Sequence, residues 1–360
     1  MRNPIPQNLR LAFLFWLALF SQLQGAENTI SDAIRASVEK VAPRLVRIDT
    51  IGGYDKVESE LTNEGATTGL LLDSQGHIMT SSFNFLHQPS SILIRFQDGV
   101  RKVAKVVATD SSRKLTLLKV EEVNYNPEPI PRSPGLAIAV GQNVVAVGQA
   151  LSMEEPNVSL GILSATSRIW GKAIQTDAKI SPNNYGGPLL NLRGEILGIC
   201  VPLSGMSDDI TAGAEMYDAG VGLAIPVADM LDAFERLKEG KNLEPGFLGF
   251  RFSDLNQFVG PAVIEAVAKS SPAEKQGMKK GDRITKVDGV SVDSAMAASI
   301  QLRKKYAGET VKITFLRGDE SKEIELQFVS VESIKMGVAA IVGNGLSKVE
   351  SNTKCENRRI

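Results

Sequence analysis

A chain of 360 residues, 43% hydrophobic and 22% charged, has the composition of an ordinary globular protein and the length of about two domains. Its 40 Lys and Arg against 41 Asp and Glu leave a formal net charge of -1, which removes the broad electrostatic case for nucleic acid or an anionic membrane as partner. Two histidines and two cysteines provide few metal ligands and no disulfide scaffold, so neither a metal nor a cofactor is expected.

In chain order, Arg2 and Arg10 precede the unbroken apolar run Leu11 to Phe20, and a polar stretch then ends at Gly25-Ala26. A run this short suits the core of a signal peptide better than a membrane-spanning helix. Residues 1–26 are therefore expected to be a signal peptide that sends the chain to the periplasm or outside the cell. An uncleaved anchor is the alternative, because Gln24 is not the small residue a signal peptidase prefers three places before a cut. No later stretch is apolar enough to span a bilayer.

Ile30, Ala33, Ile34, Val38 and Val41 recur at helical spacing until Pro43, which predicts one helix over 29–41. About a dozen short runs rich in Val, Ile and Leu follow, punctuated by Gly, Asp, Asn and Ser, from 44–50 to 221–225. Almost no helical periodicity interrupts them, and an all-β barrel or sandwich is predicted. Residues 227–238 form an amphipathic helix that stops at Gly240, and KNLEPG marks a boundary. The first domain is thus placed at 27–240 and a second at 245–330.

The second domain reads as α+β. Strands are predicted at 247–252 and 262–267, then a helix start capped at Ser271-Pro272. A strand at 283–287, a helix from about 294 to 306 and two closing strands around Arg317-Gly318-Asp319 complete it. Residues 331–360 read as a tail, with a further short strand at 336–342. Cys200 lies in an apolar run and reads as a small buried hydrophobe, whereas Cys355 lies in the polar tail. The basic clusters Lys279-Lys280 and Arg303-Lys304-Lys305 are short and mixed with acids, and read as solvated faces.

Four stretches carry a family resemblance: GLLLDSQGHIMTSSF at 69–83, ATDSSRKLTLLKV at 108–120, GILSATSR leading into IQTDAKISPNNYGGPLLNLRGEILGI at 161–199, and VGLAIP at 221–226. They resemble, in order, segments of the HtrA (DegP-like) serine proteases. GFLGF at 246–250, residues 271–292 and VKITFLRGD at 311–319 resemble the PDZ domain that follows the protease there. The resemblance implies a chymotrypsin-like double six-stranded β-barrel followed by a PDZ domain.

By register, the family's catalytic histidine falls on Phe83, its aspartate on Lys114 and its serine on Tyr185. The glycine of the oxyanion loop falls on Asn183, followed by Asn184; asparagine tolerates positive φ, so the turn is expected to survive. Phenylalanine has no exchangeable proton, lysine reverses the orienting charge, and a phenol near pKa 10 is a poor nucleophile without a base. No catalytic residue is therefore expected. Phe83 and Tyr185 are expected to pack together with Lys114 nearby. His87 stands about one helical turn from Phe83, too far to replace the base; His77 reads as a surface turn residue, and Ser181 as displaced from the oxyanion loop. The segment between Arg168 and Ile174 is much shorter than the family's regulatory loop.

The PDZ resemblance implies addition of a peptide strand to a sheet edge, with capture of its terminal carboxylate. Phe247, Leu248, Gly249 and Phe250 would form the carboxylate loop and the start of the accepting strand, with Leu248 and Phe250 lining the pocket. Met296 and Ile300, four residues apart, face either the groove or the core. The expected function is a non-catalytic binder of peptides, protein C-termini or unfolded segments in the cell envelope, acting as chaperone, scaffold or regulator. A homo-trimer or a mixed oligomer with active relatives is a possible assembly. The alternatives are an active serine-type endopeptidase in protein quality control and a purely structural subunit.

Overall fold

The computed structural model describes residues 29–52, 66–85, 88–135, 137–153, 155–204, 220–253 and 259–331. The expected signal peptide, His87, Cys355 and the strand expected at 336–342 lie outside the described residues. The chain divides into two compact units between Leu243 and Glu244.

The first unit opens with α1, residues 29–41, whose Val38 and Val41 join the main core. Seven strands follow: β1 (Leu45–Ile51), β2 (Ala66–Leu71), β3 (His77–Ser81), β4 (Ser91–Arg95), β5 (Arg101–Val103), β6 (Lys105–Asp110) and β7 (Leu115–Lys119). They form one sheet in the order β5-β4-β1-β2-β3-β7-β6. The seventh strand arises because the segment Arg101–Asp110 bends at Ala104. Its β5 half pairs with β4 and its β6 half with β7, so one bent strand serves both edges of the sheet. Ala104 itself stays tied in, donating its N–H to the Ile92 carbonyl at 2.9 Å.

The second set of strands is β8 (Asn143–Gly148), β9 (Asn157–Arg168), β10 (Ala173–Thr176), β11 (Pro188–Asn191), β12 (Ile196–Cys200) and β13 (Gly222–Pro226). These six close into a barrel, β10-β13-β12-β11-β8-β9. Period-2 burial explains its two apolar layers. Val144, Ala146, Leu163, Leu189 and Leu197 point into one cluster, while Val145, Val147, Leu190 and Ile199 belong to another that includes Leu45, Leu70 and Leu117 of the first sheet. Helix α2 (Val227–Leu237) seals that shared core with Val227, Met230, Ala233, Phe234 and Leu237.

The second unit has a two-stranded sheet, β14 (Phe250–Phe252) with β15 (Ile264–Val267), and a four-stranded sheet, β17-β16-β18-β19. The latter holds β16 (Arg283–Val287), β17 (Val290–Ser291), β18 (Thr310–Arg317) and β19 (Glu320–Gln327). Ser271 caps the short helix α3 (Pro272–Lys275) by accepting from the Glu274 N–H. Ser294 caps α4 (Ala295–Leu302) in the same way through Ala297. Helix α4 ends at Leu302, four residues earlier than predicted, because the chain then turns back to pair Tyr306 with Pro245.

A buried ion pair fastens this unit. Asp282, 1% exposed, accepts from Arg317 Nε and Nη2 at 2.8 Å each and from the Lys279 N–H at 2.8 Å. Burial raises the Asp282 pKa, but the Arg317 fork and the Lys279 N–H outweigh it and hold the carboxyl below its ordinary range. A depressed native pKa stabilises the fold above the unfolded value and loses that stability as pH falls through the native one. Calorimetric melting between pH 7 and pH 3 should therefore show Asp282→Asn starting less stable and losing less on acidification than the parent chain.

Candidate functional site

The three positions expected to register with the family's triad come from three turns. Phe83 lies in the 3-10 turn Ser82–Phe85 that ends β3. Lys114 closes the turn between β6 and β7 with φ 55. Tyr185 follows a second 3-10 turn, Pro182–Asn184. The structure brings them together. The Ser82 N–H donates to the Lys114 carbonyl at 2.8 Å, and the Phe83 and Tyr185 rings meet edge-on, centroids 5.3 Å apart at 72°.

All three side chains are buried: Phe83 is 6%, Lys114 3% and Tyr185 3% exposed. Phe83 and Tyr185 share the second barrel's apolar cluster with Val144, Leu163, Leu189 and Cys200. Burial pushes the Cys200 thiol up to about 12, so it packs as a hydrophobe and is no nucleophile. A cavity of about 230 Å3 lies elsewhere in this unit, walled by Phe96, Val100, Lys102, Val123 and Tyr125. None of the three triad-register residues lines it.

The loop before Tyr185 departs from the sequence expectation. Asn183 was expected to supply a left-handed turn; it lies instead in the right-handed 3-10 turn and is not among the positive-φ residues. The physical cause is local. Pro182 has its φ fixed for a first helical position, and Ser181 precedes it as N-cap, so Ser181 belongs to the loop. Ser181 and Asn184 bond reciprocally, the Asn184 N–H donating to the Ser181 carbonyl at 2.8 Å and Asn184 Oδ1 accepting from the Ser181 N–H at 3.3 Å. The Tyr185 N–H donates inward to the Pro182 carbonyl at 3.2 Å. An oxyanion hole needs backbone N–H groups aimed at the reacting oxygen, and this one is already engaged.

The frame around the loop is tight. Gly186 has φ +81, and a Cβ there would stand 2.2 Å from the Thr68 carbonyl; one on Gly187 would stand 2.0 Å from that of Val147. Thr67 Oγ1 donates to the Tyr185 carbonyl and Thr68 Oγ1 to that of Asn183, both at 2.8 Å. The β6–β7 turn is fastened as well. Arg113 lies 3.8 Å from Asp110 and 4.0 Å from Asp229, and Lys172 Nζ donates to Ser112 Oγ at 2.9 Å. Lys172 ends the short tip of the β9–β10 hairpin, where Ile169, Trp170 and Gly171 all have positive φ.

His77 is not the surface turn residue the sequence suggested. It begins β3, is 8% exposed, sits 2.7 Å from Asp73 through Nδ1 and stacks edge-on against Phe234 at 5.5 Å. It occupies the end of β3 opposite Phe83, engaged with Asp73 and α2. Among the described residues no group of three or more His, Cys, Asp or Glu is arranged to hold a metal ion.

In the second unit the candidate peptide site is an open strand edge. The Ala268 N–H donates to the Gly249 carbonyl at 2.7 Å and the Ser253 N–H to that of Val263 at 3.4 Å. With Phe250 opposite Val267 and Phe252 opposite Ile264, both are non-hydrogen-bonded pairs. The backbone N–H and C=O of Phe250 and Phe252 therefore point away from β15, and among the described residues β14 has no other strand partner. Helix α4 is tied at both ends: its first residue donates to the Gly260 carbonyl, and Lys305, beyond its C-terminus, accepts from Gly246.

Two expected roles change. The Phe247 N–H is spent on the Val329 carbonyl at 2.8 Å, so Phe247 anchors the loop and is no carboxylate donor. Leu248, 5% exposed, is a core residue because Gly249, with φ +89, reverses the chain immediately after it. Phe250 and Phe252 are half-buried, their rings 5.5 Å apart. Met296 and Ile300 are half-buried as well, while Ala295, Ala298 and Leu302 take the buried positions of α4.

Comparison with known proteins follows these two units. Residues 67–199 match the trypsin-like peptidase domain and residues 246–328 the PDZ domain. A probable periplasmic serine endoprotease DegP-like of Halomonas elongata is 29% identical over 271 residues, 71% of this chain and 55% of that protein. The chain thus spans about half the length of that relative. A serine protease Do-like HtrA of Lactococcus lactis subsp. lactis is 26% identical, covering 83% of each chain. Among solved structures, a serine endoprotease from Yersinia pestis superposes with TM-score 0.60 at 24% identity, covering 83% of this chain and 98% of that one. An HtrA-type protease AlgW with decapeptide gives 0.63 at 22%, covering 82% and 98%. These structural likenesses establish the fold.

Proposed function

We propose that this chain, a trypsin-like peptidase domain followed by a PDZ domain and homologous to proteases named DegP and HtrA, binds peptides and does not cleave them. The observation that carries this is the buried Phe83–Tyr185 contact, 5.3 Å between centroids, at the place where the fold would hold a base against a nucleophile. Hydrolysis needs an accessible nucleophile, a proton acceptor and oxyanion donors. Here the residues are two packed rings and a lysine, and the Tyr185 N–H is bonded to Pro182. The open β14 edge then supplies the activity: it accepts a peptide strand whose terminal carboxylate meets the N–H groups of Leu248 and Gly249. We place this binding in the cell envelope, after removal of residues 1–26, as a chaperone, scaffold or regulator, alone as a trimer or mixed with active relatives. The periplasmic names of relatives support the compartment.

A second reading, an active serine-type endopeptidase of protein quality control, is favoured by the relatives, which are named as proteases. Casein degradation by the purified full chain separates the two. The binding reading expects no degradation above a buffer control, for the parent chain and for Tyr185→Phe alike. Degradation that Tyr185→Phe removes would establish the second reading.

A further inference from the structure

We propose that the outer face of the first sheet is a second docking surface, which takes a segment of a protein partner carrying an acidic residue two positions from an apolar one. The register lays the face out. Arg47 stands across from Arg95, and Arg95 across from Arg101, so three arginines form a row over β1, β4 and β5. Ile48 and Ile94, next along their strands, are buried, and alternation puts the arginines on the opposite, outer face. The next row on that face is Asp49, Leu93 and Val103, followed by Ile51 on β1.

Asp49 bridges the first gap in the arginine row and not the second. Its Oδ1 accepts from Arg47 Nε at 2.9 Å and its Oδ2 from Arg95 Nε at 2.7 Å. Arg47 Nη1 also donates to the Leu151 carbonyl at 3.2 Å. Between Arg95 and Arg101 the corresponding neighbours are Leu93 and Val103. The Phe96 N–H donates to the Val100 carbonyl and the Ala104 N–H to that of Ile92, both at 2.9 Å. Arg95 and Arg101 are therefore a non-hydrogen-bonded pair, with Cα atoms about 4.5 Å apart, and like charges so placed destabilise a sheet. Among the described ion pairs Asp49 is the one acid on the row, so three guanidinium groups against one carboxylate leave two positive charges in excess.

A partner's carboxylate fills the second gap as Asp49 fills the first. The flanking residues choose what carries it: Val103 is 66% and Ile51 54% exposed, with Leu93 half-buried. That apolar row lies two residues along the strands, about 7 Å from the arginines, the span of an extended acidic-x-apolar segment. Basic clusters that read anionic lipid carry about 4–8 Lys and Arg, and a face with two charges in excess fits one acidic side chain rather than a membrane.

The test is fluorescence anisotropy of the full chain with three labelled octapeptides, identical except for a central Glu-Ser-Leu, Gln-Ser-Leu or Glu-Ser-Ser. Both ends are blocked, which keeps the probes off the carboxylate loop of the second unit. The Glu-Ser-Leu peptide is expected to bind about three- to ten-fold more tightly than either other, since exposed ion pairs are individually weak. Arg101→Gln removes the preference for Glu over Gln. Arg101→Glu, which supplies the missing acid, removes it too and raises Tm by about 1–4 °C; an arginine that is merely solvated would change neither. Equal affinities for the three peptides, no binding by any, or a preference that survives Arg101→Gln would overturn the proposal and leave the reading of the β14 edge standing. Co-sedimentation with phosphatidylglycerol vesicles that Arg101→Gln abolishes, without peptide binding, would overturn it in favour of a membrane. Peptide binding seen only after Glu58→Gln and Glu60→Gln would overturn it as well, making the chain's own acidic segment 53–65 the occupant.

Discussion

Phe83→Ala and Tyr185→Ala each lower the stability of the full chain by about 3–5 kcal/mol, the cost of emptying a buried aromatic site. For a unit of this size that corresponds to a fall in Tm of about 6–20 °C. The expectation follows from burial: both rings are at least 94% covered and share one apolar cluster. Because the rings touch, the double variant should deviate from additivity by about 0.5–1.5 kcal/mol, the range for an edge-to-face pair. Urea unfolding of the four proteins measures the coupling. Single variants that melt like the parent chain would show that the rings are not holding the barrel together.

Gly249→Ala abolishes peptide binding. At φ +89 the backbone is in a region that an L side chain rarely adopts, and the added Cβ would stand 2.0 Å from Ser271 Cβ. Neither neighbour can yield easily. Ser271 is fully buried, donates to the Ala268 carbonyl at 2.7 Å and accepts from the Glu274 N–H at 3.2 Å, so moving it uncaps α3. The loop must open instead, which turns the N–H groups of Leu248 and Gly249 away from the carboxylate. A strain of about 1–3 kcal/mol corresponds to a Kd weakened by about five- to 150-fold, and loss of the two donors adds to it. Calorimetric titration with a peptide ending in Phe reads the effect. Ser271→Ala, which leaves the Cβ in place, should weaken binding far less.

Much of the architecture was legible from period-2 runs of Val, Ile and Leu interrupted by Gly, Asp and Asn. The strand at 283–287 stands where the sequence puts it. The bend at Ala104 was not legible, because nothing in Arg101 to Asp110 distinguishes one strand from two; only the partners on either side do. His77 was misread for a related reason. A histidine after Gly76 looks like turn chemistry, and its burial depends on Phe234, more than 150 residues away in sequence.

Register names Phe83, Lys114 and Tyr185 as the candidate positions, and the structure brings the Phe83 and Tyr185 rings into contact; the conformation around them was less legible. The 3-10 turn before Tyr185 has a local signal in the sequence, Ser181 followed by Pro182, a helix-starting pair. Attention to Asn183 as a glycine substitute suggested a left-handed turn where the capped 3-10 turn forms. In the second unit, which edge of β14 is open could not be read from sequence. It follows from which carbonyls accept from Ala268 and Ser253.

The central claim is that peptide is held and left whole. Its most direct test is mass spectrometry of an unlabelled peptide with a free C-terminal Phe, recovered after prolonged incubation with the full chain at a concentration where calorimetry shows saturation. The account predicts a single intact mass and a bound fraction that Gly249→Ala eliminates. Fragments that accumulate with time and vanish in Tyr185→Phe would contradict it.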